Sequence, residues 1–305
     1  IVRREKPDIL HGHFVHQYGW LAAMIGFHPL AITAWGTDIL NLPDASRLKI
    51  GKYLTQYALR KADLLTGTSG HLTREMIRLG AREDRVHVIF WGVDIDRFRP
   101  DVDTTALRKK LGIDPDQIVI LSNRNHSELY NNDIVVEAMA RVLKTYPQAI
   151  LILQNSGGNL EPQLRDLVHN LGIDSSVRFL QQFRHEDLPA LYAMAHIYVS
   201  VPSWDAGPVS LKEAMACGAV PIISDLPGPR EWVNDEVNGR VVPVRNIERL
   251  TIAIIDLIQD IDKRIRFASS NTHLIHQSAA QADQMEEMGT LYTNLINRDT
   301  WHQHH

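Results

Sequence analysis

Short apolar runs alternate with helical patterns from one end of the chain to the other, and that alternation leaves few folds open. It is the pattern of a parallel sheet covered by helices on both faces. The spacing predicts strands at Ile9–His11, Leu30–Ala34, Leu64–Gly67 and Val86–Phe90. Helices are expected near Gly19–Gly26, Ala45–Lys61 and Ser69–Leu79. The turn-rich stretch Trp91–Pro100 reads as a linker. A second series follows, with strands expected at Ile118–Ser122, Ile150–Gln154, Val177–Leu180, Ile197–Val201, Val220–Ser224 and Gly239–Val242. Its helices are expected at Asn132–Thr145, Leu160–Leu171, His185–Met194, Val209–Cys217 and Ile247–Asp260, with a last helix at about Ala279–Asn297. The chain has 305 residues, enough for two α/β domains. The second series is a complete doubly wound domain; the first has only four strands.

The net charge of -4 gives no support to a nucleic-acid partner. Its distribution is uneven. Residues 1–100 carry 14 Lys/Arg against 10 Asp/Glu, and residues 101–305 carry 18 against 26. A basic first part suits an anionic surface or acceptor, or is chance asymmetry between two domains. The single cysteine, Cys217, allows no intrachain disulfide and fits a reducing, cytoplasmic setting. No apolar run reaches the ~18 residues that span a membrane. The chain opens on Ile1 rather than Met, and reads as part of a longer protein.

The segment Pro202-Ser-Trp-Asp-Ala-Gly-Pro-Val-Ser-Leu-Lys-Glu-Ala-Met-Ala-Cys-Gly218 is the most informative. A strand ends, a Gly-Pro loop follows and a helix starts near Val209. Ligands of open parallel sheets bind beyond the carboxyl ends of the strands. The free amides of Val209, Ser210 and Leu211 would open a helix, where an anion is stabilised. Gly207 lets the backbone approach a ligand closely. Asp205 falls on the loop at the mouth. Glu213 falls about one turn inside the helix, where a carboxylate can accept hydrogen bonds from both hydroxyls of a ribose. The plain alternative is a strand-to-helix connection with a capping aspartate.

These residues carry a resemblance. Asp205-x7-Glu213 is similar to the Glu-x7-Glu acidic motif of glycosyltransferase family 4. The stretch Asp187–Ser203 resembles the family's helix, strand and Pro-x-x run. Pro227-Gly-Pro-Arg-Glu231 with Val237-Asn-Gly-Arg-Val-Val resembles its later glycine motifs. Nearer the front, Pro7-Asp-Ile-Leu-His-Gly-His13, Ala34-Trp-Gly-Thr-Asp38 and Val88-Ile-Phe-Trp-Gly-Val-Asp94 with Arg97-Phe-Arg-Pro100 are similar too. Each motif is degenerate alone; the ordered set, covering nearly the whole chain, is specific.

The resemblance implies a GT-B fold, two Rossmann-like parallel-sheet domains facing across a cleft, the first incomplete here. It places an acceptor-side domain at 1–100, a donor-binding domain at 101–275 and a helix at 276–305 returning to the first. It implies a metal-independent, retaining transfer of a sugar from a UDP- or GDP-linked donor, with no cofactor, to a sugar, lipid or small-molecule acceptor that the sequence does not identify. Carried over, Glu213 would hold the donor ribose and Asp205 the transferred sugar's hydroxyls. Gly207, Pro208, Val209 and Ser210 would line the sugar and phosphate pocket. Arg124, in Ser122-Asn-Arg-Asn-His126, matches the diphosphate arginine, whose fork can contact two phosphate oxygens. Asn123 and Arg184 join the donor set. Asp205, Arg124 and Glu213 are the catalytic candidates, and His13, Trp35 and Asp38 the acceptor-side ones.

Three departures stand out. The family's lysine after the arginine is absent: the chain reads Glu128-Leu-Tyr-Asn-Asn132. Phosphate charge then falls on Arg124, on helix termini and on a donor the sequence does not place. Trp35 stands where many members have a histidine; it stacks on a sugar or fills the core. The family's first strand and Gly-rich loop are missing, about 80 residues against a six-strand unit.

Weaker signals remain. His11 and His13 share one face of a strand, but no neighbouring ligands complete a metal site. The segment Ser46–Lys61 carries Arg47, Lys49, Lys52, Arg60 and Lys61 with no acid, so it is either an amphipathic helix for an anionic membrane or a solvated cover of the first sheet. An open edge on a short first sheet suggests a homodimer. Two other functions stay open: a nucleotide-sugar-binding module without turnover, and a GT-B nucleotide-sugar epimerase.

Overall fold

A computed structural model describes residues 2–40, 49–181 and 183–303. The chain forms two compact units, Ile1–Gly92 with Gln281–His305, and Val93–Ala280.

The first unit holds a parallel sheet of four strands in the order β1-β2-β3-β4: β1 Leu10–His13, β2 Leu30–Ala34, β3 Leu64–Gly67 and β4 Val86–Val88. Register is set by pairs such as Leu10 beside Leu30, Ala31 beside Leu64 and Leu65 beside Val86. Every residue of β2 and β3 is buried, which explains their unbroken apolar runs: a strand covered on both faces does not alternate. The helix Gly70–Arg78 starts on a Ser69 cap, whose Oγ accepts the Leu72 amide at 3.1 Å. The last helix, Gln281–Gln303, lays Met288, Leu291, Tyr292 and Leu295 against Ala31, Leu64 and Ile89 of the same unit.

The second unit holds six parallel strands: β5 Val119–Ser122, β6 Ile150–Gln154, β7 Val177–Leu180, β8 Ile197–Ser200, β9 Val220–Ser224 and β10 Arg240–Val242. Their order is β10-β9-β8-β5-β6-β7. The chain runs outward from β5 to β7, then returns to lay β8 on the other side of β5. That reversal is the topological switch point, and a crevice opens beyond the carboxyl ends of β5 and β8. The core between sheet and helices is aliphatic, with Ile120, Leu151, Leu153, Val199 and Ile222 all buried.

Three differences from the sequence reading concern organisation. The stretch Trp91–Pro100 is not a loose linker: Val93 and Phe98 are buried, the Val93 amide donates to Ala279 O at 2.7 Å, and Phe98 packs on the Tyr192 ring. The units accordingly part at Gly92/Val93 and Ala280/Gln281 rather than at 100 and 275. Besides the four-residue helices Val2–Glu5 and Thr37–Leu40, two longer helices went unread, Thr105–Leu111 and Ile261–Ser278. The second buries only Phe267, Asn271 and Ile275, so its apolar stripe is thin, and its start rests on Asp260 Oδ1 accepting the Lys263 amide at 2.8 Å. The basic helix is described from Lys49 to Lys61; Arg47 and Leu48 lie outside the described residues.

Candidate functional site

At the switch point the residues following β5 meet the loop following β8. Arg124 lies two residues beyond β5 and is almost fully buried. Its Nη2 donates to Asp205 Oδ2 at 2.6 Å, and its Nη1 donates to Ser210 Oγ at 3.0 Å. The guanidinium lies over the Tyr130 ring, 4.5 Å from its centre. The Tyr198 hydroxyl, from β8, stands 3.0 Å from both Asn123 Oδ1 and Ser210 Oγ. Asn123 Nδ2 donates to the Tyr192 hydroxyl, which donates to Glu213 Oε2 at 3.0 Å. One connected polar network therefore links Asp205, Arg124, Ser210, Tyr198, Asn123, Tyr192 and Glu213. Buried groups so fully engaged are held in one geometry.

This network borders a cavity of about 480 Å³ whose lining includes Asn123, Arg124, Tyr130, Gln154, Ser210 and Glu213. A larger cavity, about 720 Å³, lies against Ala195, His196, Cys217 and the helix Ile261–Ser278. Its residues precede β8 and β9, so it sits at the amino ends of the strands, opposite the end where such sheets bind ligands. The smaller cavity is the candidate site.

The electrostatics follow from burial. Burial opposes charge on Arg124, but Asp205, with Tyr198 and Tyr130, more than offsets it, so the guanidinium is held charged above its ordinary pKa. Burial raises Glu213 above its ordinary value, against the Tyr192 hydroxyl and the charges of His185, Lys212 and Arg97. Burial pushes Lys212 down to about 8, against the carboxylates of Asp205, Glu213 and Glu231. Lys212 has no exposed surface; its Nζ lies 3.5 Å from the carbonyls of Gly207 and Pro208, behind the loop.

Gly207 has φ +122, a conformation that favours glycine, and its amide donates back to Asp205 Oδ1 at 3.2 Å. Pro208 precedes the helix Val209–Ala216, whose first amides have no acceptor within the helix and open beside Arg124. The structure thus brings Asn123, Arg124, Asp205, Ser210 and Glu213 together, with Gly207, Pro208 and Val209 forming the turn next to them. It does not bring Arg184. That side chain is on the surface, paired with Glu186 and Asp187, and lines none of the cavity. The sequence reading missed Tyr130, Tyr192, Tyr198 and Lys212; the tyrosines carry no motif signal, while Lys212 sits inside the motif.

In the first unit, His13 closes β1 and stacks on His11 at 4.0 Å between ring centres. Trp35 follows β2 and stays 43% exposed. Asp38 is fully buried and does not offer itself to an acceptor: its Oδ2 accepts the Val15 amide at 2.7 Å, and its Oδ1 accepts the amides of Trp35 and Gly36. Three donors on one carboxylate make it the clamp of two loops. Among the described residues no group of three His, Cys, Asp or Glu side chains gathers as metal ligands.

The glycosyl transferases group 1 family model matches residues 103–273, and the glycosyl transferase 4-like model matches residues 1–69. D-inositol 3-phosphate glycosyltransferase of Geodermatophilus obscurus is 31% identical over 80% of this chain and 59% of its own. Its counterpart in Saccharomonospora viridis is 29% identical over 79% of this chain and 59% of its own. The chain spans about three fifths of the length of these curated relatives. Among solved structures, Anabaena HepE in complex with UDP and glucose superposes with a TM-score of 0.84 at 22% identity, covering 96% of this chain and 80% of that one. Sucrose-phosphate synthase from Thermosynechococcus elongatus gives 0.84 at 21%, covering 97% and 76%. Both units thus take the parallel-sheet architecture of GT-B proteins, and with more than half of its length matched the chain belongs to the glycosyl transferases group 1 family.

Proposed function

We infer that this chain carries the donor half of a glycosyltransferase that moves a sugar from a nucleotide diphosphate sugar to an acceptor hydroxyl. One observation carries the reading: the network from Asp205 through Arg124 to Glu213 borders a cavity at the switch point of the second unit, with Asn123, Arg124, Tyr192, Ser210 and Glu213 in its lining. Glu213 is suited to accept the ribose hydroxyls. The Arg124 fork and the first amides of the helix Val209–Ala216 are suited to the diphosphate. Asp205 takes the hydroxyls of the transferred sugar. The anomeric carbon–oxygen bond breaks with its electron pair leaving on the diphosphate. The new bond forms to the acceptor oxygen, whose proton passes to the departing phosphate oxygen. Attack on the face that the phosphate leaves retains the anomeric configuration. Arg124 and the helix amides stabilise the charge that develops, which is electrostatic catalysis needing no metal ion at that place. The UDP and glucose held by the Anabaena neighbour favour a UDP-sugar over a GDP-sugar.

Calorimetric titration of UDP and GDP tests this on the wild type and on Glu213→Ala. We expect micromolar binding of UDP, weakened at least about tenfold in Glu213→Ala by loss of a charged hydrogen-bonding partner. No nucleotide binding to a folded wild type would end the donor reading. Binding without sugar transfer to any acceptor would make the chain a binding module.

A membrane is the favoured surroundings of the acceptor. Leu21, Met24 and Ile25 are exposed on the helix Trp20–Ile25, Tyr18 just ahead of it, and Ile50 and Tyr53 on the helix Lys49–Lys61 packed against it. Lys52, Arg60 and Lys61 are exposed on the latter. Apolar side chains with nearby cations suit an anionic bilayer surface. No described helix is long and apolar enough to cross a membrane. Sedimentation with phosphatidylglycerol vesicles should fall about tenfold in Ile50→Asp/Tyr53→Asp. Equal sedimentation of the variant would remove this surface from consideration.

A further inference from the structure

Three rings converge beyond the carboxyl ends of the strands in the first unit. His13 ends β1, Trp35 follows β2, and Trp91 lies three residues beyond β4. Trp35 and Trp91 stack with centres 5.6 Å apart and planes within 11°. His13 completes the group, 6.1 Å from Trp35 and 5.6 Å from Trp91.

Packing alone does not account for this arrangement. Trp91 has φ +60, a left-handed backbone that a bulky side chain rarely adopts and that the surroundings must enforce. Its Nε1 is buried and has no acceptor among the described residues, whereas a core tryptophan ordinarily satisfies that N–H. Both features oppose folding, and the indole they belong to lies within 11° of parallel to Trp35. Trp35, in turn, is 43% exposed, an unusual place for a large apolar side chain. Its backbone is fixed by Asp38, which accepts the amides of Trp35 and Gly36 at 3.0 and 2.8 Å. His13 rests on His11, and His11 is tied to Thr33 Oγ1 at 2.8 Å and to the Tyr292 hydroxyl. The platform is therefore rigid, aromatic and open on one side.

We propose that the Trp35–Trp91–His13 platform is the acceptor subsite, and that the acceptor is a glycoside whose pyranose ring lies on the exposed face of Trp35. The assignment rests on the glycosyltransferase reading above. A pyranose presents C–H groups on one face, and these complement the negative face of an indole. Its ring hydroxyls find imidazole nitrogen at His13. The three rings, with His11 behind them, carry no fixed positive charge, since burial lowers the pKa of both histidines. A phosphorylated cyclitol, the acceptor in the names of the curated relatives, gains nothing from such a surface.

The test uses the chain as described, with methyl α-glucoside, methyl α-mannoside, methyl β-galactoside and D-inositol 3-phosphate as probes. Saturation-transfer NMR and calorimetry read binding in the wild type, Trp35→Ala and Trp35→Phe. We expect at least one glycoside to bind. Trp35→Ala should weaken it about tenfold or more, Trp35→Phe should keep most of it, and UDP affinity should be the same in all three. Glycoside binding that is lost in Trp35→Ala supports the platform even if UDP binds none of the three; only the donor reading then falls. The platform is overturned if a wild type that binds UDP binds no glycoside, if Trp35→Ala binds glycosides as well as the wild type, or if D-inositol 3-phosphate binds and the glycosides do not.

Discussion

Replacing Arg124 by Met should cost both stability and turnover, through separable causes. The Arg124 and Asp205 side chains are only 10% and 12% exposed and meet at 2.6 Å. Removing the cation leaves Asp205 buried with the Gly207 amide as its one remaining hydrogen-bond donor among the described residues, so unfolding free energy should fall by about 3–5 kcal/mol. Sugar transfer should fall further, by about a thousandfold, the usual loss when one group aimed at developing charge is removed. The two effects part in the double variant Arg124→Met/Asp205→Leu. With no stranded carboxylate it should recover most of the stability and none of the activity. Arg124→Lys should stand between: a charge remains, but one ammonium cannot replace a fork held by Asp205 and Ser210 together. Denaturant unfolding and product formation under saturating donor read the two axes. An Arg124→Met chain that transfers sugar within threefold of wild type would remove this residue from the mechanism.

Arg124, Asp205 and Glu213 were legible in the sequence because their positions are topological. Arg124 lies two residues past β5, Asp205 on the loop after β8 and Glu213 in the helix that follows that loop, and the rule for open parallel sheets says which end matters. Tyr192 and Tyr198 were not legible. Each occupies an apolar position, one in the helix Leu188–Met194 and one in β8, and reads as core. They become polar partners only once β8 pairs with β5, which brings their hydroxyls to Asn123, Ser210 and Glu213. Lys212 looks like an exposed helix position until the loop Asp205–Pro208 folds over it. Arg184 was read into the donor set and lies outside the lining of the cavity. Its position after β7 suited a donor contact, but acids two and three residues on hold it at the surface. Asp38 was read by motif as facing an acceptor, although a carboxylate two residues past a glycine turn is equally well placed to accept its amides. Trp91 lay inside a stretch read as a linker, and nothing in the sequence announces its positive φ. Strand positions came from burial on both faces. What was lost came from contacts between residues far apart in the chain.

Gly228→Ala should damage the second unit's site although it adds a single methyl group. The conformation is not the obstacle, since Gly228 has φ -65. The space is. A Cβ there would stand 2.5 Å from the Ala206 carbonyl carbon, 2.6 Å from its oxygen and 2.9 Å from Asp205 O. These are backbone atoms of the loop that carries Asp205. That loop cannot easily retreat: Arg124 holds Asp205 from one side, and Lys212 lies against the carbonyls of Gly207 and Pro208 from behind. The added methyl must therefore move the loop, with about 1–3 kcal/mol lost as for an overpacked core, and the Asp205–Arg124 geometry goes with it. UDP affinity should fall about tenfold, because a displaced Asp205 leaves Arg124 poorly aimed. Gly289 is the control. It lies in the helix Gln281–Gln303 with open space where its Cβ would be, so Gly289→Ala should add about 0.5–1 kcal/mol and leave UDP binding unchanged. Hydrogen exchange separates the units, with protection expected to fall across residues 201–230 in Gly228→Ala and to rise across the last helix in Gly289→Ala. If Gly228→Ala kept wild-type protection and wild-type UDP affinity, the loop would be softer than its contacts imply, and Asp205 would owe its position to Arg124 alone.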